Sequence, residues 1–125
     1  MPKKILIVED DPFMSRSLVR TFAREGYATS VAENAADAIE LIRTEVFDLV
    51  VSDNTMPGMP GIELLDVLAM RKPDLPTILH SSDPQDSLTH LVRERGLKES
   101  VMRYFVQKGD HRALLAKIKE LIGEP

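Results

Sequence analysis

Ile5-Leu6-Ile7-Val8-Glu9-Asp10-Asp11-Pro12 is the stretch that decides the fold. Its four consecutive apolar residues, mostly β-branched, suit a strand buried on both faces of a parallel sheet, where neither row of side chains meets water. A polar cluster ends the run. Asp11 can cap a following helix with Pro12 in its first turn, where a missing N–H costs nothing. Met14, Leu18 and Phe22 then recur every four residues until Gly26 supplies a stop. The segment reads as one strand followed by one helix.

The same grammar repeats along the chain. Tyr27 to Ala32 reads as a second strand, and Asn34 caps a helix whose Ala35, Ala38, Ile39 and Ile42 form one stripe. Phe47 to Ser52 is a third strand. Beyond the turn-rich Asn54-Thr55-Met56-Pro57-Gly58-Met59-Pro60-Gly61, a helix carries Leu64, Leu65 and Leu68 until Pro73 breaks it. Thr77 to Ser81 makes the fourth strand, and Asp83-Pro84 opens a weaker helix with Leu88, Leu91 and Val92 inward and Gly96 as its stop. Val101 to Gln107 is the expected fifth strand. Asp110 caps a last helix with Leu114, Ile118, Leu121 and Ile122 on one face, ending at Gly123. Five strands alternating with five helices predict an α/β fold, a doubly wound five-stranded parallel sheet with right-handed crossovers and helices on both faces.

With 125 residues, 43% hydrophobic and 29% charged, the chain fits a single domain over 1–125. At this length a chain buries roughly 65–70% of its unfolded surface, so an apolar core suffices without staples. The absence of cysteine removes disulfides, thiolate zinc sites and cysteine nucleophiles, and fits a reducing cytoplasm. Sixteen Lys and Arg against twenty Asp and Glu give a net charge of -4, the wrong sign for gripping a phosphate backbone, so direct nucleic-acid binding is disfavoured. Ile5 to Val8 is too short for a signal-peptide core or a membrane span. Met1-Pro2-Lys3-Lys4 therefore reads as a mature start in the cytoplasm, while Gly123-Glu124-Pro125 suits either a terminus or the start of a linker.

In an open α/β sheet, ligands bind beyond the carboxyl ends of the strands. Those ends carry Glu9, Asp10 and Asp11, then Asp53, then Ser81 and Ser82, then Lys108. Carboxylates sharing one crevice repel by up to ~4 kcal/mol for a pair ~4 Å apart at an effective dielectric of ~20. A hard divalent cation relieves that repulsion, and an oxygen-only, watered site suits Mg²⁺ better than zinc. A carboxylate can also attack a phosphoryl group to give an aspartyl-phosphate, with metal and lysine offsetting charge on the equatorial oxygens.

Taken together, Ile5 to Pro12, Asp48-Leu49-Val50-Val51-Ser52-Asp53, Met56-Pro57-Gly58-Met59 and the ends of the fourth and fifth strands resemble the receiver domain of two-component response regulators. The resemblance spans nearly the whole chain. It implies a flavodoxin-like (βα)5 sheet of strand order 2-1-3-4-5. Carried over by residue, Asp53 matches the phosphoacceptor, Glu9 and Asp10 the acidic pair near Mg²⁺, and Thr55 the backbone carbonyl on the metal. Ser81 matches the switch hydroxyl, Lys108 the lysine on the phosphoryl group, and Phe105 the aromatic switch position. Ser82 competes with Ser81, and Tyr104 with Phe105. In the family, the positions of Thr55 and Asp83 tune hydrolysis of the phosphoryl group.

The implied function is a phospho-accepting switch with slow self-dephosphorylation, rather than a metabolic enzyme. Its implied partners are a histidine kinase or phosphotransfer protein and a downstream effector or fused output domain. A homodimer through the face of helix four, strand five and helix five is also implied. Three departures stand out: Gly109 where proline usually follows the lysine, Pro60 where Asp or Asn is common, and a stretch from Gly96 to Phe105 a few residues longer than usual. The first predicts a less rigidly placed ammonium and sustains a rival reading, a degenerate receiver acting as a phosphorylation-independent interaction module. A haloacid-dehalogenase-like phosphohydrolase would need Asp-x-Asp after strand one, where this chain has Glu9-Asp10-Asp11; a nucleotide or flavin fold would need a Gly-rich loop there. His80, His90 and His111 lack metal-ligand spacing and read as structural or surface histidines, with His80 placed to titrate near the site.

Overall fold

The computed structural model describes residues 1–125. The elements run β1 (Lys4–Val8), α1 (Pro12–Glu25), β2 (Ala28–Ala32), α2 (Ala35–Thr44), β3 (Leu49–Ser52), α3 (Gly61–Arg71), β4 (Thr77–Ser81), α4 (Gln85–Glu94), β5 (Phe105–Gln107) and α5 (His111–Ile122), with a 3₁₀ turn at Glu99–Met102 before β5. The strands form one parallel sheet of order β2-β1-β3-β4-β5.

Alternation along β1 explains the two-sided core. Leu6 and Val8 face one way and pack with Ala38 and Ile42 of α2, Leu65 and Leu68 of α3, and Leu88 and Val92 of α4. Ile5 and Ile7 face the other way, onto Leu18 and Phe22 of α1 and Leu114 and Ile118 of α5. Both clusters are buried, which is why the strand reads as an unbroken apolar run.

The caps operate as their residue types predict. Asp11 accepts the Phe13 N–H, Asn34 the Asp37 N–H and Asp110 the Arg112 N–H, while Gly26 closes α1 in the left-handed region at φ 98°. No helix is long and apolar enough to cross a membrane.

Strand five is the main correction. It spans only Phe105–Gln107, because Val101 turns into the α3–α4 core as part of the 3₁₀ turn instead of entering the ladder. The Lys98 N–H bonds Asp66 Oδ1 at 2.9 Å and Arg95 Nη1 bonds Glu63 Oε1 at 3.0 Å, tying this connection to α3. The extra residues between Gly96 and Phe105 fill core rather than lengthen the sheet. Two starts also shift: β2 begins at Ala28 and β3 at Leu49, with Tyr27 and Phe47 buried at the strand approaches. Helix α4 begins at Gln85 with Pro84 in the cap position, where no side chain can accept an N–H; Asp83 lies one residue outside it, and its carboxylate takes the Ser81 and Thr55 hydroxyls.

Candidate functional site

Parallel pairing brings the strand ends to one edge. Val8 lies beside Ser52, and the Asp53 N–H bonds Val8 O at 2.9 Å, so Glu9 and Asp53 leave their strands as neighbours. On the other side the Lys108 N–H bonds Ser81 O at 2.9 Å, joining the ends of β4 and β5.

Three carboxylates and one ammonium meet there. One oxygen from each of Glu9, Asp10 and Asp53 lies within 4.8 Å of the others, and Glu9 and Asp53 are buried while Asp10 is exposed. Lys108 Nζ lies 2.8 Å from Glu9 Oε1 and 3.2 Å from Asp53 Oδ1, which also accepts the Asn54 N–H at 2.8 Å. Burial pushes the Glu9 carboxyl above its ordinary value; the Lys108 hydrogen bond opposes this and the Asp53 charge adds to it. Burial pulls the Lys108 ammonium down, but Glu9 and Asp53 outweigh it and hold the group protonated above its ordinary value. One ammonium serves two buried carboxylates, so negative charge at the cluster is only partly offset. Oxygen-only donors with uncompensated charge fit a hard divalent cation.

Ser81 is 1% exposed, whereas Ser82 is exposed. Ser81 Oγ accepts the Asp83 N–H at 3.1 Å and donates to Asp83 Oδ2 at 3.3 Å, and the exposed Thr55 donates its hydroxyl to the same oxygen at 3.3 Å. Phe105 is half-buried against the α2–α4 core, whereas Tyr104 packs on the α1–α5 side with Lys117 Nζ 5.8 Å from its ring centroid. Asp11 is taken up in capping α1. Gly109 adopts φ 126°, a conformation that disfavours any side chain, and Lys108 still reaches both carboxylates.

Three features escaped the sequence. A Cβ on Gly61 would sit 2.1 Å from Asp53 O and 2.8 Å from Asn54 Cα, so only glycine lets α3 start against the Asp53 backbone. The Gly61 N–H bonds Asn54 O at 2.9 Å and the Ile62 N–H bonds Asn54 Oδ1 at 3.0 Å, fastening the two segments. The Pro60-Gly61 pair signalled a turn but not this close approach. The third feature corrects the expectation for His80: it is 1% exposed, its Nε2 has no partner, and burial, with Lys108 and His111, lowers its pKa to about 4. It stays neutral near the site. His90 is exposed, and His111 Nδ1 lies 3.1 Å from Thr21 Oγ1. A cavity of about 540 Å³, lined by Asp74, Thr77 and Tyr104 among others, opens at the opposite end of the sheet and has no part in the cluster.

Comparison with known proteins agrees with this geometry. The family model described as response regulator receiver domain matches residues 5–119. The response regulator protein FleR of Pseudomonas aeruginosa is 32% identical over 92% of this chain and 24% of its own length. The response regulator MprA of Mycolicibacterium vanbaalenii is 31% identical over 98% of this chain and 51% of its own. The chain thus spans about a quarter to a half of these relatives. Among solved structures, the response regulator TrrA of Thermotoga maritima, in complex with Mg²⁺-BeF, is 29% identical with a TM-score of 0.81, covering 95% of this chain and 98% of that one. TrrA in complex with the histidine kinase ThkA gives 28% and 0.80, covering 96% and 98%. The sequence match, the sheet order and the site at the strand ends lead to one assignment: the chain belongs to the response regulator receiver domain family.

Proposed function

We propose that this chain takes a phosphoryl group from a phosphohistidine of a histidine kinase or phosphotransfer protein onto Asp53, and that the product switches the surface read by a downstream effector or output domain. The observation that carries the reading is the cluster of Glu9, Asp10 and Asp53 with Lys108 Nζ 3.2 Å from the proposed nucleophile. As the P–N bond of the donor breaks, a bond forms between phosphorus and an Asp53 carboxylate oxygen. Lys108 stays protonated and offsets charge on the phosphoryl oxygens. Glu9, Asp10, Asp53 and the Thr55 carbonyl would hold Mg²⁺, which when bound neutralises the acidic cluster and the incoming dianion. Ser81 and Phe105 then relay the change to the face of α4, β5 and α5, where an effector or a second copy would dock.

In this reading, residues 1–125 form one receiver domain working in the cytoplasm. It is a switch that loses its phosphoryl group slowly by itself, not a metabolic enzyme. The same group of relatives supports a kinase donor, since TrrA is seen bound to one.

Intact-mass analysis tests the reading. Acetyl phosphate with Mg²⁺ should add a single phosphoryl mass, stable in acid and labile in base, and Asp53→Asn should abolish it. Labelling that is equal in Asp53→Asn, or undiminished in EDTA, overturns the assignment; no labelling and no beryllofluoride binding would favour the phosphorylation-independent module instead.

A further inference from the structure

Ser81 has one hydroxyl proton, and its surroundings show where that proton goes. Its Oγ accepts the Asp83 N–H at 3.1 Å, so the proton is left to Asp83 Oδ2 at 3.3 Å. The same Oδ2 takes the Thr55 hydroxyl at 3.3 Å. Asp83 thereby joins the end of β4 to the loop after β3. With Ser81 only 1% exposed, water does not readily replace this partner. A hydroxyl cannot give one proton to two acceptors.

We propose that Asp83 is a latch on the Ser81 hydroxyl: its carboxylate holds Ser81 and Thr55 in the resting arrangement, and a phosphoryl group on Asp53 must take the Ser81 proton away from it. The inference rests on the roles proposed above for Asp53 and Ser81. Asp83 is a positioning residue, since it touches no reacting atom and acts through the hydroxyl. Both O–H···O distances lie beyond the usual ~2.5–3.0 Å, so the latch is weak enough for a charged phosphoryl oxygen to break. Part of the free energy of phosphoryl binding is thus consumed in releasing Ser81, and removing Asp83 makes the switched state easier to reach.

Beryllofluoride with Mg²⁺, titrated by calorimetry into the parent, Asp83→Ala, Ser81→Ala and the double variant, tests the latch. Asp83→Ala should bind about 2- to 4-fold more tightly, the low end of what one hydrogen bond contributes. Asp83→Asn, which keeps the shape but offers a neutral acceptor, should gain less in the same direction and covers the case in which the alanine variant does not fold. In the Ser81→Ala background the gain should vanish, because the latch has nothing left to hold. A gain that survives without the Ser81 hydroxyl is a simple charge effect and overturns the proposal, as does no gain or a loss. If the parent itself fails to bind beryllofluoride, the reading of Asp53 falls and the latch with it; if the parent binds and the Asp83 variants match it, only the latch falls.

Discussion

His80 shows how a single residue can carry a cost that its neighbours impose. It lies on β4 directly before Ser81, and strand alternation turns it away from the site into the α1–α5 core, where its Nε2 finds no partner. Burial, Lys108 and His111 together lower its pKa from 6.5 to about 4. As pH falls below 6.5 the unfolded chain takes up a proton here and the folded chain does not, so protonation favours unfolding until about pH 4. Stability should therefore drop by about 2 kcal/mol from this group between pH 7 and pH 5. Chemical denaturation of the parent and His80→Phe at both pH values checks this: the variant should lose distinctly less on acidification. Equal losses would mean that His80 is not the group responsible.

At the scale of elements, the connection from α4 to β5 departs most from the sequence reading. Val101, 2% exposed, is the fully buried residue of the 3₁₀ turn in the core of α3 and α4, with Met102 packed beside that core. Burying a valine contributes about 1.5–3 kcal/mol, so Val101→Ala should cost roughly 2 kcal/mol in urea denaturation. Phosphoryl labelling at Asp53 should persist in that variant, because β5 and Lys108 are held separately by the ladder to β4. A variant as stable as the parent would show that the turn lies on the core rather than in it. The Glu63–Arg95 pair is half-exposed and contributes at most about 1 kcal/mol, so apolar burial, not charge, holds this connection.

For the whole molecule, the strand ends gather negative charge that the fold alone does not neutralise. Two carboxylates buried beside one ammonium, with Asp10 at the rim, make that edge a place where binding and stability are linked. Saturating Mg²⁺ at about 100 times its dissociation constant should raise the unfolding free energy by about 2.7 kcal/mol. Asp10→Asn should be at least as stable as the parent in EDTA, having lost a repelling charge, and should gain less from Mg²⁺. Thermal denaturation with Mg²⁺ and with EDTA measures both. An Asp10→Asn variant that is clearly less stable in EDTA would argue against repulsion at this edge.

The sequence by itself determined what local chemistry can encode. Apolar runs placed the strands apart from the bounds of β2, β3 and β5, capping residues Asp11, Asn34 and Asp110 placed three helix starts, and the polar residues at the ends of four strands marked Glu9, Asp10, Asp53, Ser81 and Lys108 as candidates. These signals lie within a few residues of the feature they specify, so periodicity and capping suffice to read them. Only the tertiary structure decided which distant groups meet. Lys108 finds Glu9 across 99 positions and Thr55 finds Asp83 across 28, while Gly61 comes so near Asp53 that a side chain is excluded. Nor does any local pattern tell that His80 is buried with no protein partner for its Nε2 or that Val101 leaves the ladder. Such contacts follow from packing the helices on a twisted sheet, where the partners of a residue are set by the fold as a whole and not by the residues beside it.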